Sequence, residues 1–194
     1  IPTDAVKQNN TAEVGNELYL TKALGVGILT TAEKKGILKP EHAALAAAQM
    51  MQLNKVGEAL GKIAGVKAMT DVTGFGLLGH LIEMAEGSGT SASVHVNKLP
   101  LITPALLAYI EQKAVPGGTQ RNWASYGHKI NMEGFGEVEK SILADPQTSG
   151  GLLIAVDTAS REEVLETLKA YGLGDFTQPI GEIIPKEEAV IRLR

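Results

Sequence analysis

Cysteine is absent from all 194 residues, which removes disulfide frameworks, thiolate metal sites and cysteine nucleophiles together. A reducing, cytoplasmic setting suits such a chain. No long apolar run is present either: clusters such as "GGLLIAV" at 150–156 fall far short of the roughly 20 residues needed to span a bilayer. There is no charged segment leading into an apolar signal stretch, so a soluble protein with no membrane partner is expected. No long basic stripe interrupts a formal net charge of -4, so nothing favours a phosphate backbone and no nucleic-acid partner is expected. The four histidines, 42, 80, 95 and 128, show no metal-ligand spacing such as H-E-x-x-H. The G-x-x-x-x-G-K-[ST] phosphate loop is missing, and no Ser-His-Asp arrangement can be argued.

What is present is enough apolar material, 44% of the chain, for one full-sized core. Residues 18–194 are expected to form a single domain. The opening "IPTDAVKQNNTAEVGNE", residues 1–17, is polar and without strong periodicity, as a linker or docking segment from a longer polypeptide would be.

The run "ELYLTKALGVGILTTA" reads as a strand or strand pair, because Leu18, Leu20, Val26, Ile28 and Leu29 sit among small and β-branched residues. "PEHAALAAAQMMQLNKVGEALGKIAG" reads as one long helix with Pro40 in its first turn and a stripe through Ala46, Met50, Leu53, Val56 and Leu60. Its alanine-rich face suggests close packing on a sheet, and Met50 and Met51 read as core. "VKAMTDV" is a short strand and Leu77 to Ala85 a helix; "SASVHVN" alternates as a strand with Ala92, Val94 and Val96 on one face. Thr103 and Pro104 open another helix, running to about Lys113.

"AVPGGTQRNWASYGHKINMEGFGE" reads as a long loop, with Trp123 as its packing anchor. A short helix around Val138 to Leu143 and a polar turn then lead to a buried strand at "LLIAV". Ser160 and Glu163 suggest a capping box for a helix through Val164, Leu165 and Leu168. Two neighbouring C-terminal strands, "PIGEII" and "AVIRLR", suggest antiparallel pairing. The expected class is therefore α+β, a mixed, largely antiparallel sheet covered by helices.

Three stretches carry candidate chemistry. In "TDVTGFG", Asp71 closes an apolar strand and could turn a hard oxygen ligand into a cleft, while Thr73, Gly74 and Gly76 permit a tight turn whose backbone N–H groups face an anion. The same residues would also serve a helix cap and its turn. In "DPQTSGG", Asp145, Thr148, Ser149, Gly150 and Gly151 could form an anion nest or an interdomain contact, or simply a loop with an Asx turn. In "PGGTQRN", Arg121 and Asn122 lie beside flexible backbone suited to phosphate or carboxylate recognition, or to a solvated loop. His80 sits beside the apolar stripe of its helix, which favours a structural role over ligation.

Taken together, "LTKALGVGILTTAEKKG", "MTDVTGFGLLGHL", "AVPGGTQRNWASYGH" and "DPQTSGGLLIAV" resemble the C-terminal half of the selenophosphate synthetases, or selenide, water dikinases. That family belongs to the aminoimidazole ribonucleotide synthetase superfamily, with thiamine-monophosphate kinase and a hydrogenase-maturation protein. The resemblance implies a PurM-like C-terminal domain, partly ferredoxin-like. It implies an enzyme that makes selenophosphate from selenide, ATP and water, releasing AMP and phosphate. A separate N-terminal half would carry the nucleophilic Cys or selenocysteine, a Lys and most metal carboxylates, and would form a homodimer. Asp71 matches the family's metal-binding aspartate of this half, which would help hold Mg2+ against the ATP phosphates. The chain alone is then expected to be inactive. Another ATP-dependent member of the superfamily, or a non-catalytic binding module, are the alternatives.

Overall fold

The computed structural model describes residues 6–194. The first five residues of the expected 1–17 segment therefore lie outside the described residues. Seven strands form one sheet: β1 (Glu17–Leu20), β2 (Val66–Asp71), β3 (Ser91–Val94), β4 (Ile130–Asn131), β5 (Leu152–Val156), β6 (Gly181–Ile184) and β7 (Ile191–Leu193). The helices are α1 (Val26–Lys34), α2 (Leu45–Met51), α3 (Val56–Lys62), α4 (Gly76–Gly87), α5 (Leu106–Glu111), α6 (Gly117–Tyr126), α7 (Glu137–Leu143) and α8 (Arg161–Ala170).

The strand order is β2-β5-β1-β6-β3-β7-β4. β2, β5, β1, β6 and β3 run antiparallel to their neighbours, while β3/β7 and β7/β4 are parallel. The sheet is thus mixed and largely antiparallel, as its α+β class requires. The two C-terminal strands do not pair with each other, however, because β3 lies between them.

β5 shows why the sheet is covered on both faces. All five of its apolar residues are buried, and alternating side chains can hide an unbroken apolar run only between two layers. Leu153 and Ala155 join the larger core with Leu18 and Leu20, under α1 and α4. Leu152, Ile154 and Val156 join Tyr19 and a smaller core built from α3 and α8. Each fully buried Leu or Ile in these layers contributes about 1.5–3 kcal/mol relative to exposure.

Several elements differ from the sequence expectation. Residues Val26 to Lys34 are helical, not extended. Gly25, at φ 121, turns the chain out of β1's direction, and α1 then begins. The expected long helix after Pro40 is split into a short 3-10 turn, α2 and α3. The split falls where Gln52 is extended and Asn54 donates its side-chain amide to Gly150 O, 2.9 Å away. Met51 and Leu53 are consequently 76% and 73% exposed rather than core. Ala43, Ala44, Ala47 and Ala48 face solvent instead of the sheet, while Ala46 and Gln49 point inward.

The glycine-rich stretch after Val115 is also not a long loop. It holds α6, whose Thr119, Asn122 and Tyr126 share one buried face, and the two-residue strand β4. Trp123 does anchor this region, packing against the larger core with Lys140 Nζ 5.3 Å from its ring centroid. Val96 lies in a 3-10 turn beyond β3, and α5 starts at Leu106, later than Thr103–Pro104 suggests. Ser160 stands at the N-cap of α8 without a capping hydrogen bond. Asp157 instead accepts from the Ala159 N–H at 3.0 Å and caps the turn before it.

Residues 8–11 lie along the open side of β2, with Met69 N–H donating to Gln8 O at 3.0 Å and the Thr11 hydroxyl to Lys67 O at 2.6 Å. Among the described residues no helix is long and apolar enough to cross a membrane.

Candidate functional site

The end of β2 meets the start of β5, since Asp71 pairs with Leu152 across the antiparallel ladder. The loops on either side of that point, Val72 to Gly76 and Asp145 to Gly151, are consequently forced together. They are joined by two backbone bonds, Val72 N–H to Gly151 O at 2.8 Å and Gln147 N–H to Thr73 O at 3.0 Å. Contact is so close that a Cβ on Gly150 would sit 2.0 Å from Val72 O, and one on Gly76, at φ +69, would sit 2.8 Å from Ala144 C. Glycine is required at both.

Asp71 itself is exposed, and its carboxylate takes part in no hydrogen bond or ion pair among the described residues. It does not cap the following helix. The N-cap of α4 is Phe75, four residues on, and carries no side-chain capping bond. The carboxylate is therefore free to accept an external partner, and a hard cation suits an unpaired carboxylate. No group of three or more His, Asp or Glu residues that could hold a metal exists among the described residues. Asp71 fits a metal as one ligand, with the rest of the coordination supplied from elsewhere.

The turn after it is braced from below by His80. The imidazole Nε2 accepts the Thr73 N–H at 3.0 Å and lies 3.2 Å from the Thr73 hydroxyl. Burial pushes the His80 pKa below the usual histidine range, with the Asp71 and Glu83 carboxylates opposing. A neutral ring accepting at Nε2 carries its proton on Nδ1. His80 is thus structural, and the Thr73 N–H is not available to an anion. The N–H groups of Gly74 and Phe75 remain without partners among the described residues, on the exposed side of the turn.

Asn122 and Asp145 do not face a cleft. Asn122 is buried, and its amide donates to Gly74 O at 2.9 Å and Ala144 O at 3.1 Å, clamping the two loops from α6. Asp145 is 0% exposed. Its Oδ2 accepts from Gly27 N–H at 3.0 Å and from the Gln147 side-chain amide at 2.8 Å, and Gln147 Oε1 accepts from Val26 N–H at 3.3 Å. These two side chains cap α1 from more than a hundred residues away. No Asx turn forms, because Gln147 N–H is used by Thr73. Burial raises the Asp145 pKa to about 7 against these opposing hydrogen bonds, and its Oδ1 has no partner.

Thr148 and Ser149 are the exposed tip of the second loop, Ser149 at φ 48. Arg121 is exposed on α6, one residue from Asn122. Two residues that sequence reasoning missed hold this loop from behind. Lys22 Nζ donates to Ser149 O at 2.6 Å and Asn54 to Gly150 O at 2.9 Å. A lone lysine inside the apolar run "YLTKALG" was the available signal.

Comparison with known proteins matches the family model "AIR synthase related protein, C-terminal domain" to residues 13–194. A selenide, water dikinase of Pasteurella multocida is 56% identical over 96% of this chain and 52% of its own length. One from Haemophilus influenzae is 52% identical over 98% and 54%. The chain therefore spans about half the length of these curated relatives. Among solved structures, the E. coli hydrogenase maturation protein HypE superimposes with a TM-score of 0.68 at 23% identity, covering 100% of this chain and 50% of that one. A HypE in complex with ATP gives 0.63 at 18% identity, covering 95% and 47%.

Proposed function

The chain belongs to the AIR synthase related proteins as their C-terminal domain, and from that membership we propose that it is the C-terminal half of a selenide, water dikinase. The full-length enzyme would form selenophosphate from selenide, ATP and water, with release of AMP and phosphate. Support comes from dikinases more than 50% identical along nearly the whole chain, and from an ATP-bound protein of the same fold.

The observation that carries the local role is the unpartnered, exposed Asp71 carboxylate at the junction of two loops stitched by Val72–Gly151 and Gln147–Thr73. Phosphoryl transfer is achieved mainly by positioning and charge neutralisation, which magnesium supplies when bound between carboxylates and phosphate oxygens. Asp71 would give that ion one oxygen. The Gly74 and Phe75 N–H groups would offer donors to a phosphate oxygen beside it. Thr148, Ser149 and Arg121 would line the cleft, while Asn122, Asp145, Gly150 and Gly151 hold its floor.

The remaining ligands, the nucleophile and the homodimer contacts would come from a separate N-terminal half, in a cytoplasmic enzyme; residues 8–17 pack on this domain's own sheet rather than forming a free connector. The test is selenide-dependent AMP release from the full-length polypeptide, wild type beside Asp71→Asn, over a magnesium titration. Loss of turnover or a tenfold higher magnesium requirement is expected; identical curves would refute the assignment. The 194-residue chain alone should release no AMP.

A further inference from the structure

A cleft of about 690 Å³ opens between the α2–α3 turn and the segment after α8, within the range of small-molecule sites, about 300–1,000 Å³. Lys22 lines it while being only 4% exposed. Two of its three ammonium protons go to neutral carbonyls, Gln52 O at 2.8 Å and Ser149 O at 2.6 Å, which leaves one. Lys62, Lys67, Lys129 and Lys140 all have carboxylates within 4.0 Å, but no ion pair among the described residues includes Lys22. A buried ammonium with only neutral acceptors has lost hydration without gaining a counter-charge. Burial accordingly holds its pKa below the ordinary lysine range.

The walls restrict what could supply that charge. Leu53, Val56, Leu173 and Phe176 present apolar surface, and Tyr171 adds a half-exposed ring. Lys55 contributes a second cation and Asp175 a single carboxylate. One net positive charge on the lining, from two lysines against one aspartate, favours a compact head over an extended polyanion.

We propose that this cleft binds a small organic anion, a carboxylate or phosphate head at Lys22 carried on an apolar body packed against Leu53 and Phe176. Nothing in the dikinase reading uses Lys22 as a ligand, so either proposal can fail without the other.

Phenyl phosphate titrated into the 194-residue chain with labelled Leu and Val methyls tests it. The methyl signals of Leu53, Val56 and Leu173 should shift together and saturate. Inorganic phosphate should act at the same place at least tenfold more weakly, for want of the apolar body. Lys22→Met should weaken phenyl phosphate at least tenfold. Because that change also releases two carbonyls, Lys55→Glu provides a rim variant on an exposed side chain, expected to weaken binding severalfold with the wild-type spectrum otherwise retained. Absence of saturable shifts at those methyls, or unchanged affinity in both variants, would overturn the proposal.

Discussion

The side-chain amide of Asn122 donates to Gly74 O at 2.9 Å, so a residue of α6 fixes the middle of the turn that follows Asp71. Its second bond, to Ala144 O at 3.1 Å, fixes the start of the facing loop. Asn122→Ala should cost about 2 kcal/mol by leaving buried carbonyls unpaired. Asn122→Asp should cost more, since a carboxylate would face two acceptors. Denaturant unfolding of the three proteins orders them.

Gly150 and Gly74 make a matched pair. A Cβ at Gly150 meets Val72 O at 2.0 Å, whereas one at Gly74 meets nothing within 4 Å. Gly150→Ala is expected to lose about 3 kcal/mol through forced backbone displacement. Gly74→Ala should stay within about 0.5 kcal/mol of wild type. Equal thermal midpoints for the two would contradict the stitched-loop geometry.

Asp145 predicts an unusual pH profile. Its pKa in the folded chain is about 7 against an ordinary 3.8, so between those values the folded state holds a proton that the unfolded state has released. Stability must then fall as pH rises through this window, by about 1.4 kcal/mol per pH unit from this group alone, and level off above pH 7. Asp145→Asn keeps an acceptor for Gly27 N–H and removes the titration. The gap between wild type and variant should therefore change from about pH 4 through pH 7 and flatten above about pH 8.

Asp71→Asn should separate function from folding. The side chain is exposed and unpartnered, so unfolding free energy should move by no more than about 0.5 kcal/mol, while magnesium-dependent turnover in the full-length polypeptide collapses. A variant that is clearly less stable would indicate a structural role.

The sequence reveals elements whose signal is local. β5 is an unbroken apolar run and α4 a clean helical stripe, and both lie where periodicity puts them. The misread elements depend on distant partners. α1 starts after Gly25 because Asp145 and Gln147 meet its first N–H groups, and nothing within Val26 to Lys34 announces that. α6 contains two glycines and no regular apolar stripe; it is helical with Asn122 and Tyr126 bonded to the turn before α4. Asp71 was legible as a carboxylate at a strand end. Which neighbours would be buried, Asp145 and Asn122, was not, because an acid in a polar turn reads alike facing in or out.

β2 is the terminal strand of the sheet, and Gln8 and Thr11 occupy part of its unpaired margin. An uncovered margin of this kind is a template for association with other chains. A fragment trimmed to begin at residue 13, where the family match starts, would lose that cover. Residues 8–11 thus occupy backbone positions that another strand could otherwise take, and a version shortened to residue 13 should be judged by its solubility as well as its fold.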